Sequence, residues 1–340
     1  MSRQQPATTG ATGNGSVPAA GEQQVAPDRG DGRRRRRRDR GLMVPEAEFR
    51  SYYGRPILKE PAWTLEVPWY FFTGGLAGAS APLAVAARVT GNQRLASSAL
   101  TVAGAGIAAS VPLLVSDLGR PERFHHMLRV FKPTSPMSMG SWVLAGLGPS
   151  AVNAAVSEWF GIFPRLGRVA EVVSGLLGPA LSTYTAVLVA NTAVPVWHEA
   201  GRELPLVFAG SAMASAGAAT ALLTPAADAG PARRLAVTGA VVELAAGQVM
   251  ERRLGELAEP YHQGVAGRYA RLAKGCTAAG AAAIGLAGRR RRPLAMAGAG
   301  LLLAGSALER LAVYKAGFQS ARDPRYVVTP QRARLEAANR

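Results

Sequence analysis

Long apolar segments separated by short polar stretches dominate the chain from about residue 67 onward. A bilayer core about 30 Å thick requires about twenty apolar residues in helical conformation. Eight segments come close to that length, and the sixth and seventh are the weakest because each has only about sixteen residues. They lie near residues 67–87, 95–115, 140–156, 172–196, 204–223, 235–250, 272–287 and 294–313. The pattern therefore predicts an all-α membrane protein, a bundle of about eight transmembrane helices.

Glycine, alanine and serine are frequent in these segments, as in the runs 74–78 and 278–285. Lipid offers no hydrophobic drive for helix association, so membrane helices associate where small residues let their backbones approach closely. The composition therefore predicts a compact bundle rather than a set of loosely tethered anchors.

Polar sequence surrounds this apolar middle. Residues 1–44 are rich in Gly, Gln, Ala, Asp and Arg and have no apolar core, which predicts a disordered tail without a cleavable signal peptide. A pre-membrane segment, 45–66, leads into the transmembrane domain, 67–318, and a polar C-terminal tail, 319–340, follows it.

The net charge of +17 comes largely from arginine, including the unbroken run 33–38. A basic run is compatible with nucleic acid, anionic lipid or a topology signal. Because this run precedes apolar segments, it favours a topology signal and no nucleic-acid partner. Lys and Arg are also frequent in the loops 117–139 and 251–274, which lie on the same side as the tail. Both termini are therefore expected in the cytoplasm, although the opposite side carries the run 289–292.

Cysteine and histidine usage restricts the metal chemistry of the chain. The single cysteine, Cys276, excludes a disulfide framework, a cysteine zinc site and a self-contained iron–sulfur cluster. The four histidines, His125, His126, His198 and His262, all lie in loops or at the ends of apolar segments. A bis-histidine haem in the bilayer needs ligands in the middle of helices, so neither haem nor iron–sulfur cluster is expected.

The loop between the second and third segments contains an unusual set of polar groups, among them Asp117, Arg120 and His125. Such groups at a membrane boundary can pair with one another, bind a polar headgroup or shuttle protons. Pro133 and Pro136 exclude a continuous helix through this loop. An interfacial loop held by salt bridges is the alternative interpretation.

Several short motifs resemble those of the NrfD/PsrC family, the membrane subunits of polysulfide-reductase-like complexes. The first three lie around the loop: Asp-Leu-Gly-Arg-Pro at 117–121, Phe-Lys-Pro-Thr-Ser-Pro at 131–136 and Gly-Ser-Trp at 140–142. Further matches are Tyr-Tyr-Gly at 52–54, Trp63, the run 74–78, Tyr-Thr-Ala-Val-Leu at 184–188 and Pro-Val-Trp at 195–197. The resemblance covers about residues 45–320 and is most specific in the first half.

This resemblance implies a subunit in the cytoplasmic membrane of a bacterium that interacts with a quinone, menaquinone or ubiquinone, as its bound substrate. It further implies two partners: a four-cluster ferredoxin-like iron–sulfur subunit and a molybdopterin catalytic subunit, with which electrons are exchanged. The reaction at this chain would be quinol oxidation or quinone reduction, the quinone itself performing the redox chemistry.

The resemblance also implies a quinone pocket between the start of the first helix and a tyrosine of the fourth, which Tyr184 matches. Where the family carries an asparagine and a histidine in the first helix, Val67 and Tyr70 align. Glu66, Trp69 and Tyr70 are the polar-capable groups available there. Trp and Tyr are also typical anchors at the membrane interface, which is an equally good explanation of both aromatic residues.

Quinol oxidation must release protons, and Asp117, Glu66 and His125 are the candidate acceptors. Arg120 is a further candidate for the quinone pocket. Glu243, midway along the sixth segment, suggests a proton path because a charge there is costly unless it is neutralised, paired or faces a cavity. The alternative is an interfacial helix in which Glu243 and Glu251 face water.

Two other functions remain open at this point. A purely structural membrane anchor for the complex is compatible with every candidate residue. A transporter is disfavoured because transporters often carry internal repeats, and the pattern of residues 131–142 does not recur.

Overall fold

The computed structural model describes residues 57–118, 120–287 and 291–338. The predicted disordered tail, 1–44, lies outside these residues, as do positions 45–56 of the pre-membrane segment. The described part of the chain forms helices and turns and contains no strand.

Ten α-helices and two 3₁₀-helices make up the described structure. The α-helices are α1 Glu66–Val89, α2 Gln93–Ser116, α3 Pro136–Phe160, α4 Pro164–Ala190, α5 Pro195–Glu199, α6 Leu204–Leu223, α7 Gly230–Leu254, α8 Gly264–Ala287, α9 Arg292–Arg322 and α10 Arg325–Ala338. The 3₁₀-helices are Pro121–Leu128 and Gly255–Tyr261. Helix α10 shows that most of the predicted polar C-terminal tail is helical.

Five helices within the described residues, α1, α2, α4, α6 and α9, are long and apolar enough to cross a membrane. Helices α3, α7 and α8 coincide with the third, sixth and seventh predicted segments but do not reach the same apolar composition. The all-α, multi-pass membrane fold is thereby established. The predicted number of eight transmembrane helices is not confirmed.

The fourth helix differs from its predicted segment, 172–196, at both ends. Helix α4 begins earlier, at Pro164, and ends at Ala190, where Asn191 forms the C-cap. Residue Val194 is extended and α5 begins at Pro195. Proline lacks a backbone N–H and disfavours helical conformation in the preceding residue, so one continuous span through Val194 is not formed.

Two hydrogen bonds, one at each end of the bundle, serve to define its two ends. At the end where α1 begins, called end A below, the backbone N–H of Thr64 donates to Asp117 at the end of α2. At the opposite end, end B, the side-chain amide of Asn92 donates to the carbonyl of Asp228 between α6 and α7. The helices run up and down, so the connections α2–α3 and α7–α8 both lie at end A.

Close backbone contacts hold the bundle together, as its small-residue content predicts. Helices α1 and α4 meet at Gly78 and Gly178. A Cβ on Gly78 would lie 2.6 Å from the carbonyl oxygen of Gly178 and 2.6 Å from Ser182 Oγ. Any larger residue at Gly78 would therefore push the two backbones apart.

We expect Gly78→Ala to lower the free energy of unfolding by about 1–3 kcal/mol, because the added methyl group meets backbone atoms that cannot move aside. Gly300→Ala is the matched control, since a Cβ there has no atom within 4 Å, and it should be neutral or stabilising by up to about 1 kcal/mol. Unfolding in a detergent titration measures both. Equal effects of the two substitutions would contradict close α1–α4 packing.

Candidate functional site

A cavity of about 230 Å³ opens at end A between α1, α2, α3 and α4. Its wall is mainly apolar and includes the aromatic side chains of Trp63 and Phe71. The polar side chains on the wall are those of Tyr70, Asp117, Ser141 and Tyr184.

Two phenols from different helices meet in this cavity. The hydroxyl groups of Tyr70, in α1, and Tyr184, in α4, form a hydrogen bond in which either can be the donor. Gly140 of α3 makes room for this arrangement, because a Cβ there would overlap the ring of Tyr184. Gly74 leaves ordinary van der Waals space beside the ring of Tyr70, at 3.7 Å.

Asp117 is the carboxylate of the cavity and caps the C-terminal end of α2. Its Oδ1 accepts hydrogen bonds from the backbone N–H of Thr64 at 3.0 Å and from the Thr64 hydroxyl at 2.6 Å. These bonds fix the carboxylate in the wall and tie the segment before α1 to the end of α2.

Trp63, in the segment before α1, is held against the second half of the bundle. Its ring stacks on Trp197, with 5.4 Å between centroids and 23° between planes. Its carbonyl oxygen accepts a hydrogen bond of 2.6 Å from the Tyr314 hydroxyl. The same segment is clamped to α9 by Arg322, whose hydrogen bonds to Glu60 hold the pKa of that carboxyl below its usual value.

Five of the predicted site residues lie outside the cavity wall, and Glu243 is the most distant in sequence. Glu66 is the first residue of α1 and is half-buried. Trp69 is 44% exposed and packs edge-on against Phe72, whereas Arg120 and His125 are exposed in the α2–α3 connection. The structure thus brings together Tyr70, Tyr184 and Asp117, and not the other five predicted residues.

Glu243 is buried in α7, with 4% of its surface exposed. One of its carboxylate oxygens accepts a hydrogen bond from Thr277 of α8 at 3.2 Å. The alternative of a short interfacial helix with Glu243 and Glu251 facing water is wrong, since α7 has 25 residues and both side chains are buried.

Some residues of the cavity wall were not predicted. Phe71 and Leu188 lie one helical turn after Val67 and Tyr184, so helical periodicity from those two positions could have indicated them. Met127, from the 3₁₀-helix, had no comparable signal. In the part of the chain that the structure describes, no group of three or more His, Cys, Asp or Glu side chains could hold a metal ion.

A family model described as polysulphide reductase, NrfD, matches residues 59–258, more than half of the chain. The match includes α1 to α7 and every residue that lines the end-A cavity. It is narrower than the resemblance over 45–320, and α8 and α9 lie beyond it. No curated protein that was compared matches the chain. The chain therefore belongs to the NrfD family of polysulphide reductase membrane subunits, which serve in oxidoreductase complexes.

Proposed function

We propose that this protein is the quinone-binding membrane subunit of an oxidoreductase complex and that the quinone headgroup occupies the end-A cavity. One observation carries the proposal: two phenols and a carboxylate converge in an otherwise apolar cavity within the family-matched region. A quinone ring is flat and apolar with two carbonyl acceptors. It requires an apolar slot with a few well-placed donors, which is the usual character of a small-molecule site.

The size of the cavity suits a headgroup, and a second cavity suits the isoprenoid tail. A volume of about 230 Å³ lies below the range of about 300–1,000 Å³ that is typical of whole-ligand pockets. An adjoining cavity of about 400 Å³ between α2 and α3 is almost entirely apolar. The two cavities share the wall residues Leu114, Leu118, Met127 and Ser141. We assign the second cavity to the tail.

The side chains of the site supply binding and proton handling. The hydroxyl of Tyr184 or Tyr70 donates a hydrogen bond to a quinone carbonyl. Asp117 accepts a proton when quinol is oxidised. Because Asp117 lies at the end of α2, the proton can pass from it to water at end A. Oxidation of one quinol releases two protons and two electrons. The protons leave one after the other by way of Asp117 to water at end A, the electrons pass to the iron–sulfur partner, and quinone reduction runs in the opposite direction.

The electron partner in this proposal is a four-cluster ferredoxin-like iron–sulfur subunit that connects to a molybdopterin catalytic subunit. The family match supports such partners. The quinone is menaquinone or ubiquinone, and the direction of electron flow and the final substrate depend on the catalytic subunit.

The proposed location is the cytoplasmic membrane of a bacterium, with both termini and end A on the cytoplasmic side. A cysteine introduced by Glu122→Cys, at an exposed end-A position, in a Cys276→Ala background reports the orientation. We expect a membrane-impermeant maleimide to label it in inverted vesicles and not in intact cells. Labelling in intact cells would place end A outside, the side on which an exported catalytic subunit would dock.

We expect Tyr184→Phe to lower kcat/KM for quinol by about tenfold, because loss of one hydrogen bond to a bound group corresponds to about 1.4 kcal/mol. Asp117→Asn should lower turnover with quinol by removing the proton acceptor. Tyr269→Phe, in α8 and outside the cavity wall, is the matched control.

Turnover of the assembled complex with quinol is the measurement. Normal turnover in both Tyr184→Phe and Asp117→Asn would contradict the assigned site. A complex that assembles fully while this chain binds no quinone would identify the chain as a structural anchor.

A further inference from the structure

A second group of ionisable side chains lies buried in the other half of the bundle. It consists of Glu243 in α7 and Glu309 and Arg310 in α9, which are 4%, 9% and 1% exposed. Glu309 and Arg310 lie beyond the residues that the family model matches. Charged groups inside a membrane bundle are costly and rare, and they mark pathways for ions and relays for protons.

The hydrogen bonds of this group are incomplete. Arg310 donates from Nη2 to the carbonyl of Phe208 at 2.9 Å, and its guanidinium lies 3.7 Å from the centre of the Phe208 ring. The Nε and Nη1 atoms of Arg310 and one carboxylate oxygen of Glu243 are buried without a partner. In a purely structural ion pair these atoms would have partners. The free N–H groups of Arg310 can donate to a water molecule, and the free oxygen of Glu243 can accept a hydrogen bond or a proton.

A small cavity leads from this group toward end A. Its volume is about 20 Å³, enough for about one water molecule, and its wall includes Glu243, Glu309, Tyr261, Glu251 and Lys274. The hydroxyl of Tyr261 is buried and has no partner. Burial raises the pKa of Tyr261 well above its usual value, and the charges of Glu309 and Glu251 add to the increase. Tyr261 therefore remains a neutral hydroxyl that can donate one hydrogen bond and accept another.

The cavity reaches solvent through an ion pair. Lys274 Nζ lies 2.6 Å from Glu251 Oε1, and the Lys274 side chain is 40% exposed. His262 is more exposed, at 58%, and its Nε2 lies 3.9 Å from the other Glu251 oxygen. Glu251 thus connects a buried interior with titratable groups at the surface of end A.

On the side of Glu243 that faces end B, aliphatic side chains are packed together. Toward end B, helices α6 to α9 form a cluster of buried aliphatic residues: Ala214, Ala218, Ala236, Ala240, Ile284, Ala299 and Leu302. No buried charged side chain of the described residues in these helices lies on the end-B side of Glu243. Among the described charged groups of these helices, only those toward end A connect the carboxylates with the surface.

We propose that Glu243 and Glu309 form a buried protonation site that exchanges protons with end A through Tyr261 and Glu251. Arg310 supplies a fixed positive charge, so that one carboxylate can ionise while the other keeps its proton. A proton that leaves Glu243 passes by way of one water molecule and the Tyr261 hydroxyl to the Glu251 carboxylate. From there it passes to water at end A.

The groups that face this site come from every element packed around it. They are Glu243 and Glu251 of α7, Tyr261 of the second 3₁₀-helix and His262 at its C-cap, Lys274 and Thr277 of α8, Glu309 and Arg310 of α9, and Ser211 and the Phe208 carbonyl of α6. The site is distinct from the end-A cavity, because the rings of Phe71 and Phe208, 5.9 Å apart, lie between them.

Infrared spectroscopy of the full chain in lipid nanodiscs tests the proposal without any quinone. The wild-type protein should show the carbonyl stretch of a buried, protonated carboxylic acid that shifts on transfer to D₂O. Glu243→Gln or Glu309→Gln should remove or displace this band. Tyr261→Phe should keep the band and slow its deuterium exchange by about tenfold, the rate equivalent of about 1.4 kcal/mol.

Two matched controls should leave the band and its exchange rate unchanged. They are Tyr269→Phe, in α8, and Glu256→Gln, an exposed residue of the second 3₁₀-helix. An unchanged exchange rate in Tyr261→Phe would overturn the path, and a band that survives both glutamine substitutions would overturn the site. Because no quinone is present, the quinone proposal can fail or succeed independently.

Discussion

Replacing Gly140 with alanine is expected to weaken quinone binding by about tenfold or more, because loss of the Tyr184 hydrogen bond alone corresponds to about 1.4 kcal/mol. A Cβ at this position would overlap the ring of Tyr184. Either the phenol must rotate away or α3 must move outward. Rotation of the phenol breaks the hydrogen bond between Tyr70 and Tyr184, whereas movement of α3 alters the wall that would hold the headgroup.

Gly275→Ala is the control for this prediction because it lies in α8, outside the walls of both cavities. A Cβ there would have no atom within 4 Å. Quinone affinity of the two variants should be compared in the same lipid. Wild-type affinity in Gly140→Ala would show that the Tyr184 ring does not form part of the binding site.

Replacing Arg88 with methionine is expected to lower the free energy of unfolding by about 3–5 kcal/mol, since it leaves a buried carboxylate without its partner. The Arg88 Nε atom donates to both oxygens of Glu171, at 3.0 and 2.9 Å, and Nη2 donates to Glu158 at 2.9 Å. Glu171 is only 3% exposed. These bonds join α1, α3 and α4 near end B.

An exposed ion pair near the same end provides the comparison. Arg94 pairs with Asp228 at 3.3 Å, and the Arg94 side chain is 72% exposed. Arg94→Ala should change the free energy of unfolding by no more than about 1 kcal/mol. The double variant Arg88→Met with Glu171→Leu should recover much of the loss, because it removes the orphaned charge. A detergent unfolding titration in which Arg88→Met and Arg94→Ala cost the same would contradict this account.

Hydropathy located the long helices but not all their ends. The start of α4 was missed because its first turns carry Arg165, Arg168 and Glu171, which lower the apolar average. Glu171 is nevertheless buried, since Arg88 of α1 reaches it. A pairing between residues so far apart in sequence cannot be deduced from local pattern alone. For the same reason the sequence alone does not reveal the hydrogen-bond partner of Arg310, a carbonyl of α6.

The first turn of α1 shows why only some of the candidate residues lie together in the structure. Glu66, Trp69 and Tyr70 are close in sequence, but successive helical residues are separated by about 100° around the axis. Only the face with Val67, Tyr70 and Phe71 turns into the cavity, whereas Trp69 points outward. The resemblance indicated Tyr184 and the position at the membrane boundary indicated Asp117, whereas the folded helices determine which of the other candidates face the cavity.

Tryptophan fluorescence during titration with a quinone gives the most direct test of the central claim. Trp63 lines the cavity and stacks on Trp197, so a bound quinone lies close enough to quench it. For the full chain in nanodiscs we predict saturable quenching, with a smaller amplitude in Trp63→Phe and a weaker Kd in Tyr184→Phe. Quenching that rises in proportion to the quinone in the lipid, without saturation and equally in all three proteins, would contradict quinone binding at this site.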